Sequence, residues 1–163
     1  MFTDEYLTEN YVGWLNDPEV VKYSEQRHKK HTMSSCSQYY KSFISSSHLF
    51  IAILVKDNSF KHIGNITVSI DSENLVADIA IMIGEKSSWG QGFGKEAFIG
   101  VMDYLFHKTK IRKITAGTMA INIPMLGIMK SAGMIIEGRK KEQFLVDGEK
   151  VDMVMAAAWA KSE

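Results

Sequence analysis

Three glycines alternate along Trp89-Gly90-Gln91-Gly92-Phe93-Gly94-Lys95-Glu96-Ala97, and a helix-forming run starts directly behind them. The apolar, β-branched run Ala77-Asp78-Ile79-Ala80-Ile81-Met82-Ile83 lies just ahead. Strand, glycine turn and helix in that order present backbone N–H groups at the positive end of a helix dipole, which suits phosphate oxygens. Glycine lets the backbone approach a ligand closely and take positive φ. The chemistry on offer is pyrophosphate binding. Two common cradles are excluded by spacing. Gly94-Lys95-Glu96 lacks the hydroxyl that would hold magnesium in a P-loop. Gly90, Gly92 and Gly94 give G-x-G-x-G midway along the chain, not the G-x-G-x-x-G that opens a dinucleotide fold. A glycine-rich connection that binds nothing is the competing reading.

Other reactive side chains are sparse. Cys36 is the single cysteine, so it forms no internal disulfide, and a reducing cytoplasm is the expected location. It sits in the polar run Ser34-Ser35-Cys36-Ser37-Gln38 and reads as an incidental thiol rather than a nucleophile. His28 and His31 stand three apart without a third ligand, so no metal site is expected. The stretch from Tyr23 to Thr32 concentrates polar and basic groups. Arg27 and His28 there suit a diphosphate, or are simply solvated. Lys+Arg and Asp+Glu are equal at 19 each. No global field therefore recruits nucleic acid or an anionic membrane. No apolar run is long enough to span a bilayer, and a signal-peptide pattern is lacking at the N-terminus.

The elements that must position these residues follow from periodicity. At 163 residues the chain is most simply one domain, residues 1–163, with room for a real core. Tyr6 to Lys22 reads as helix, broken or restarted at Asp17-Pro18. Met33 to Ser46 reads as a second helix, with Tyr39, Tyr40, Phe43 and Ile44 as its apolar stripe. Strands are expected from Leu49 to Val55, Ile63 to Ile70 and Leu75 to Ile83. Lys56-Asp57-Asn58-Ser59 and Asp71-Ser72-Glu73-Asn74 supply the turns. Lys95 to His107 is a helix, Lys113 to Met119 a strand, and Met125 to Ser131 a short helix. Met134 to Phe144 and Lys150 to Ala158 close as a hairpin around Asp147-Gly148.

At the glycine turn the chain resembles the GCN5-related N-acetyltransferase (GNAT) family. Gly92 and Gly94 match the glycines of that family's pyrophosphate motif, Q/R-x-x-G-x-G/A, with Trp89 in place of Gln or Arg. The W-G-x-G-x-[GA]-x-E-A form of its ribosomal-protein branch matches throughout. Asn122-Ile123-Pro124-Met125 followed by Gly133-Met134 is similar to the family's N-x-x-S…G-F segment. The resemblance covers nearly the whole chain. It implies an α/β (α+β) GNAT fold: a central mixed, mostly antiparallel sheet, splayed at the cofactor site, with flanking helices. The order α, α, β, β, β, α, β, α, β, β is that of the family's core. The usual first strand has only Met1 to Glu5 to form from.

The resemblance further implies acetyl-CoA as donor and an amine as acceptor. Its pyrophosphate would lie on Trp89, Gly90, Gln91, Gly92, Phe93, Gly94 and Lys95. The pantetheine arm would pair with the backbone of Ile81, Met82 and Ile83, and Asn122 would hydrogen-bond it. Met82 or Ile83 N–H would serve the thioester oxygen. Asp78 occupies the place of the family's catalytic Glu, with a cross-strand salt bridge as the competing role. Glu85 is the other candidate base, or a solvated turn residue. The family's acidic tyrosine falls at Met129, which donates no proton. Trp14, in an opening segment typical of the branch, and Arg27 and His28 would face the acceptor. That acceptor is a nucleotide-linked amino sugar, a protein N-terminus or a polyamine. A non-catalytic acyl-CoA-binding module is the alternative class. Pairing through the final strands would give a homodimer.

Overall fold

The structure is a computed structural model that describes residues 1–56 and 60–161. Thr8 starts the first helix, α1 (Glu9–Asn16), by accepting a hydrogen bond from the Tyr11 N–H at 3.3 Å. The helix therefore starts later than the expected Tyr6, and it ends at Asn16, where the break at Asp17-Pro18 was expected. Ahead of it lies one 3-10 turn, Asp4–Tyr6. Behind it, Asp17 is extended (φ −84°, ψ 116°) because Pro18 disfavours helix at its predecessor. A Thr32–Ser35 capping box opens α2 (Met33–Ile44). Its inward residues are Met33, Cys36, Tyr40 and Phe43, whereas Tyr39 and Ile44 are exposed. The stripe thus sits one helical step from the expected one.

The strands are β1 (Leu49–Val55), β2 (Lys61–Asp71), β3 (Val76–Ile83), β4 (Lys113–Met119), β5 (Ile135–Val146) and β6 (Glu149–Trp159). Two further helices, α3 (Phe93–Lys108) and α4 (Ile123–Ser131), flank β4 in sequence. The order of helices and strands is the expected one. Of the turn expected over residues 56–59, Asp57, Asn58 and Ser59 lie outside the described residues. The sheet is mixed, with strand order β1-β2-β3-β4-β6-β5. No strand forms before α1 among the described residues. In its place a single bond runs from the Phe2 N–H to the Phe50 carbonyl at 2.8 Å.

The chain divides into two compact units. The first comprises Met1–Ser69 and Ile81–Gly94. Here β1 pairs antiparallel with β2, and Phe2, Tyr11, Val12, Leu15, Cys36 and Phe50 form the core. Phe2 and Phe50 stack at 4.3 Å, and each such buried ring contributes about 1.5–3 kcal/mol. Cys36 is a core residue, and burial pushes its thiol pKa up, so it is no nucleophile.

The second unit comprises Ile70–Ala80 and Lys95–Glu163. Val76–Asp78 pairs parallel with Lys113–Thr115, β4 pairs antiparallel with β6, and β6 with β5. Phe98, Leu105, Ile114, Val154 and Ala157 are among its fully buried residues. Asp147 and Gly148 both have positive φ (51° and 85°), which makes the two-residue hairpin turn type I′.

Candidate functional site

From the end of β3 the chain passes through a 3-10 turn, Lys86–Ser88, and then Trp89 to Gly92 into α3. Glu85 caps that turn: its Oε1 accepts from the Ser87 N–H (3.3 Å) and hydroxyl (2.7 Å). Its Oε2 pairs with Lys61 at 2.9 Å. The Lys61 hydrogen bond, then those from Ser87, hold the Glu85 carboxyl at a pKa of about 2. Glu85 is thus a paired, half-buried group rather than a solvated one, and such a stabilised carboxylate is a weak base. Two side chains fold back onto the loop. Trp89 Nε1 donates to the Ile83 carbonyl at 2.9 Å, and Gln91 Nε2 donates to the Ser87 carbonyl at 2.5 Å.

Gly90 and Gly92 take φ of 74° and 87°, the left-handed region that side chains resist. A β-carbon added at either would meet nothing within 4 Å, so the glycines serve conformation and leave open space in front of the turn. Helix α3 begins at Phe93, two residues before the expected start. The N–H groups of Phe93, Gly94 and Lys95 therefore have no partner inside the helix. Lys95 is exposed. The turn thus fits a diphosphate in conformation, space and polarity.

The first unit also carries the expected acceptor-side residues. Trp14 is half-buried, with its indole against Gly84. Its ring lies 5.0 Å from His62, edge-on. His62 Nε2 is 3.0 Å from both Gly64 O and Asn65 Oδ1. Both partners accept, which assigns the proton to Nε2. Burial lowers the His62 pKa, so the ring is neutral at neutral pH. Arg27 and His28 lie in a 3-10 turn, Glu25–His28. Arg27 Nη1 bonds Ser24 O (3.0 Å) and Glu25 Oε1 (2.6 Å), while His28 is exposed. Lys86 is clasped by Asp17 (2.8 Å) and Glu19 (2.6 Å), tying the segment after α1 to the turn ahead of the glycines.

Asp78 and Asn122 belong to the second unit. Asp78 is exposed, and its Oδ2 accepts from the Thr115 hydroxyl at 2.7 Å. Among the described residues this hydroxyl takes the place of the cross-strand salt bridge. Asn122 caps α4, accepting from the Met125 N–H at 3.3 Å ahead of Pro124, and its Nδ2 donates to Thr118 Oγ1 at 2.9 Å. Met129 is buried in α4 at 3% exposure, a core residue.

The Trp89 clamp, the Lys61–Glu85 pair and the His62–Asn65 pair were not expected from the sequence. Only the indole itself, in place of Gln or Arg, marked Trp89 as unusual.

A glycine turn between strand and helix, on this element order, is the arrangement of an acetyltransferase-like domain. The chain belongs to the acetyltransferase (GNAT) domain family, whose model matches residues 2–135. Among curated proteins it is similar to the uncharacterized N-acetyltransferase p20 of Bacillus licheniformis. That match is 30% identical over 86 residues, 53% of this chain and 48% of p20. The matched segment spans about half the length or less of the curated relatives.

Among solved structures, RimL, a ribosomal L7/L12 α-N-protein acetyltransferase in complex with coenzyme A, superposes at a TM-score of 0.87. Its identity is 14%, covering 99% of this chain and 93% of that one. A spermidine N-acetyltransferase from Vibrio cholerae, in complex with CoA and spermine, gives 0.85 at 18% identity, covering 98% and 92%. At such identities the likeness is one of fold. No helix among the described residues is long and apolar enough to cross a membrane.

Proposed function

We propose that this chain is an N-acetyltransferase that moves the acetyl group of acetyl-CoA to a primary amine. The observation that carries the reading is the glycine turn at the head of α3, with its open space and N–H groups that have no partner inside the helix. Acetyl-CoA, when bound, supplies an activated thioester. The N–H groups of Phe93, Gly94 and Lys95 hold the pyrophosphate, and Lys95 adds charge. The edge of β3 at Ile81–Ile83 holds the arm, and Asn122 is the side chain assigned to hydrogen-bond it. Asp78 accepts the proton that the acceptor ammonium must lose, while its Thr115 bond fixes the carboxylate. Met129 is buried and donates no proton, so the thiolate leaves unassisted or with a proton from water.

The acceptor is a nucleotide-linked amino sugar, with Trp14 against the sugar and the Arg27–His28 turn near the diphosphate. The balanced charge supports a small acceptor over a strongly charged macromolecule. A protein N-terminus or a polyamine is the alternative, by analogy with the ribosomal-protein and spermidine enzymes of similar fold. The chain acts in the cytoplasm. A homodimer through the closing strands would account for the exposed Ile135, Ile136 and Trp159. A second reading, a non-catalytic acyl-CoA-binding module, is favoured by one observation: the buried methionine at the position of the usual acid.

Calorimetric titration with acetyl-CoA, followed by thiol release across amino-sugar nucleotides, polyamines and N-terminal peptides, tests this. Binding with thiol release for one amine class is the expected result. Binding without release across the panel would favour the regulatory module. Absence of binding would overturn both.

A further inference from the structure

The backbone of β3 has two sides, and the structure tells which residues face each. The Gly84 N–H donates to the Ile63 carbonyl of β2 at 2.9 Å. The Met82 carbonyl lies against Gly64, also of β2. Polar groups alternate along a strand, so Met82 and Gly84 turn toward β2, and Ile81 and Ile83 turn away from it. The choice between Met82 and Ile83 as the thioester's donor therefore falls on Ile83. On that outward side the Trp89 indole N–H takes the Ile83 carbonyl at 2.9 Å.

We infer that Trp89 is a positioning residue that sets the register of the acyl-CoA arm on β3. Of the two outward acceptors, the Ile83 carbonyl already accepts from the indole and is the poorer partner for the arm. Amide donors of the arm are left with the Ile81 carbonyl, and the Ile83 N–H is left as an outward donor. The same bond steadies the Ile83 backbone so that this N–H stays turned to the arm, and without the indole donor that arm bond is lost. The inference rests on the acetyl-CoA reading, but it concerns the arm alone. The pyrophosphate is held by the turn and α3, whose other supports are the Gln91–Ser87 bond and the Glu85 cap.

That separation supplies the test. Trp89→Phe keeps an aromatic ring and deletes the N–H. A second protein carrying benzothienylalanine at position 89 keeps the full shape of the indole without its donor. Each is titrated with acetyl-CoA and with 3′-phosphoadenosine 5′-diphosphate, which has the pyrophosphate but no arm. Both variants are expected to bind acetyl-CoA about tenfold more weakly, the worth of one hydrogen bond, and the armless nucleotide within about twofold of the parent. Equal weakening of both ligands would mean that Trp89 supports the turn only, and would overturn the inference. Unchanged acetyl-CoA affinity in the benzothienyl protein would overturn it as well. A parent protein that binds neither ligand would sink the acetyl-CoA reading itself. One that binds both, with variants unchanged, would sink only the role of Trp89.

Discussion

The Trp14 indole rests on the α-carbon of Gly84, and a β-carbon built there would overlap the ring. Gly84 is thus required by its neighbour rather than by its own backbone angles. A Gly84→Ala change must push the indole away or shift the strand end. We expect it to cost about 1–3 kcal/mol, the usual penalty for overpacking, measured by urea denaturation. Because Trp14 is assigned to the acceptor, the same variant should raise the acceptor KM more than it raises the acetyl-CoA Kd. Equal changes in both would remove Trp14 from the acceptor side.

Gly92→Glu places bulk and negative charge where the phosphates are assigned, at a φ of 87°. Calorimetry should detect no acetyl-CoA binding by a variant that remains folded by circular dichroism. The side chain would project into open space, so the core is untouched and folding should persist. Ordinary affinity in this variant would mean the turn does not hold the cofactor.

Asp78→Asn removes the charge but leaves an oxygen to accept the Thr115 hydroxyl, now 2.7 Å away. Geometry should survive. As a base replaced by a non-titrating amide, it should lose about 10²–10⁴ in turnover, with acetyl-CoA affinity unchanged. A pH–rate profile identical to the parent's would make Asp78 structural.

Met129→Tyr restores the family's usual side chain without restoring an acid. Position 129 is buried, so the larger ring overpacks α4. We expect a loss of about 1–3 kcal/mol in stability and no gain in the rate of thiol release. Release faster than the parent's, with the gain lost as the pH rises far enough to ionise the phenol, would show that the phenol reaches the reaction after all.

His62 gives a pH dependence with a definite sign. Burial lowers its folded pKa below the ordinary 6.5, so the unfolded chain binds the proton more readily. Its contribution to stability is complete above about pH 6.5 and falls as the pH drops through that value toward the lower folded pKa. Thermal midpoints measured from pH 7.5 to 5 should decline, and His62→Gln, which does not titrate, should flatten the decline. Parallel curves for the two proteins would place the acid sensitivity elsewhere.

Much of the fold was legible because strands and helices leave different periods in the sequence. β1 and β4 begin and end where expected, since each is a β-branched run between polar breaks. The error at α1 had a local cause, since Thr8 caps late; the break expected at Asp17-Pro18 is where the helix stops, with Asp17 extended ahead of Pro18. The glycine turn was legible because its backbone angles demand glycine. Its supports were not. Trp89 with Ile83, Lys61 with Glu85, and Lys86 with Asp17 and Glu19 join residues by contacts that no spacing rule encodes. Glu85 illustrates the gap. A glutamate just past a strand is ordinarily solvated, and only the fold brings Lys61 beside it.

Neither compact unit is a continuous run of chain, and this constrains how the protein is born. The first unit needs Ile81–Gly94 to finish what Met1–Ser69 begins. Until that segment emerges from the ribosome, Ile63 lacks the donors Gly84 and Glu85, and Asp17 lacks Lys86. The second unit in turn holds Ile70–Ala80 in waiting for everything after Gly94. The nascent chain therefore carries β2 without its partners Gly84 and Glu85 until the first unit is completed at Gly94, and the second unit waits for the rest. Folding is then deferred to the later part of translation, the interval in which its unpaired strand edges are most open to a chaperone or to another copy of itself.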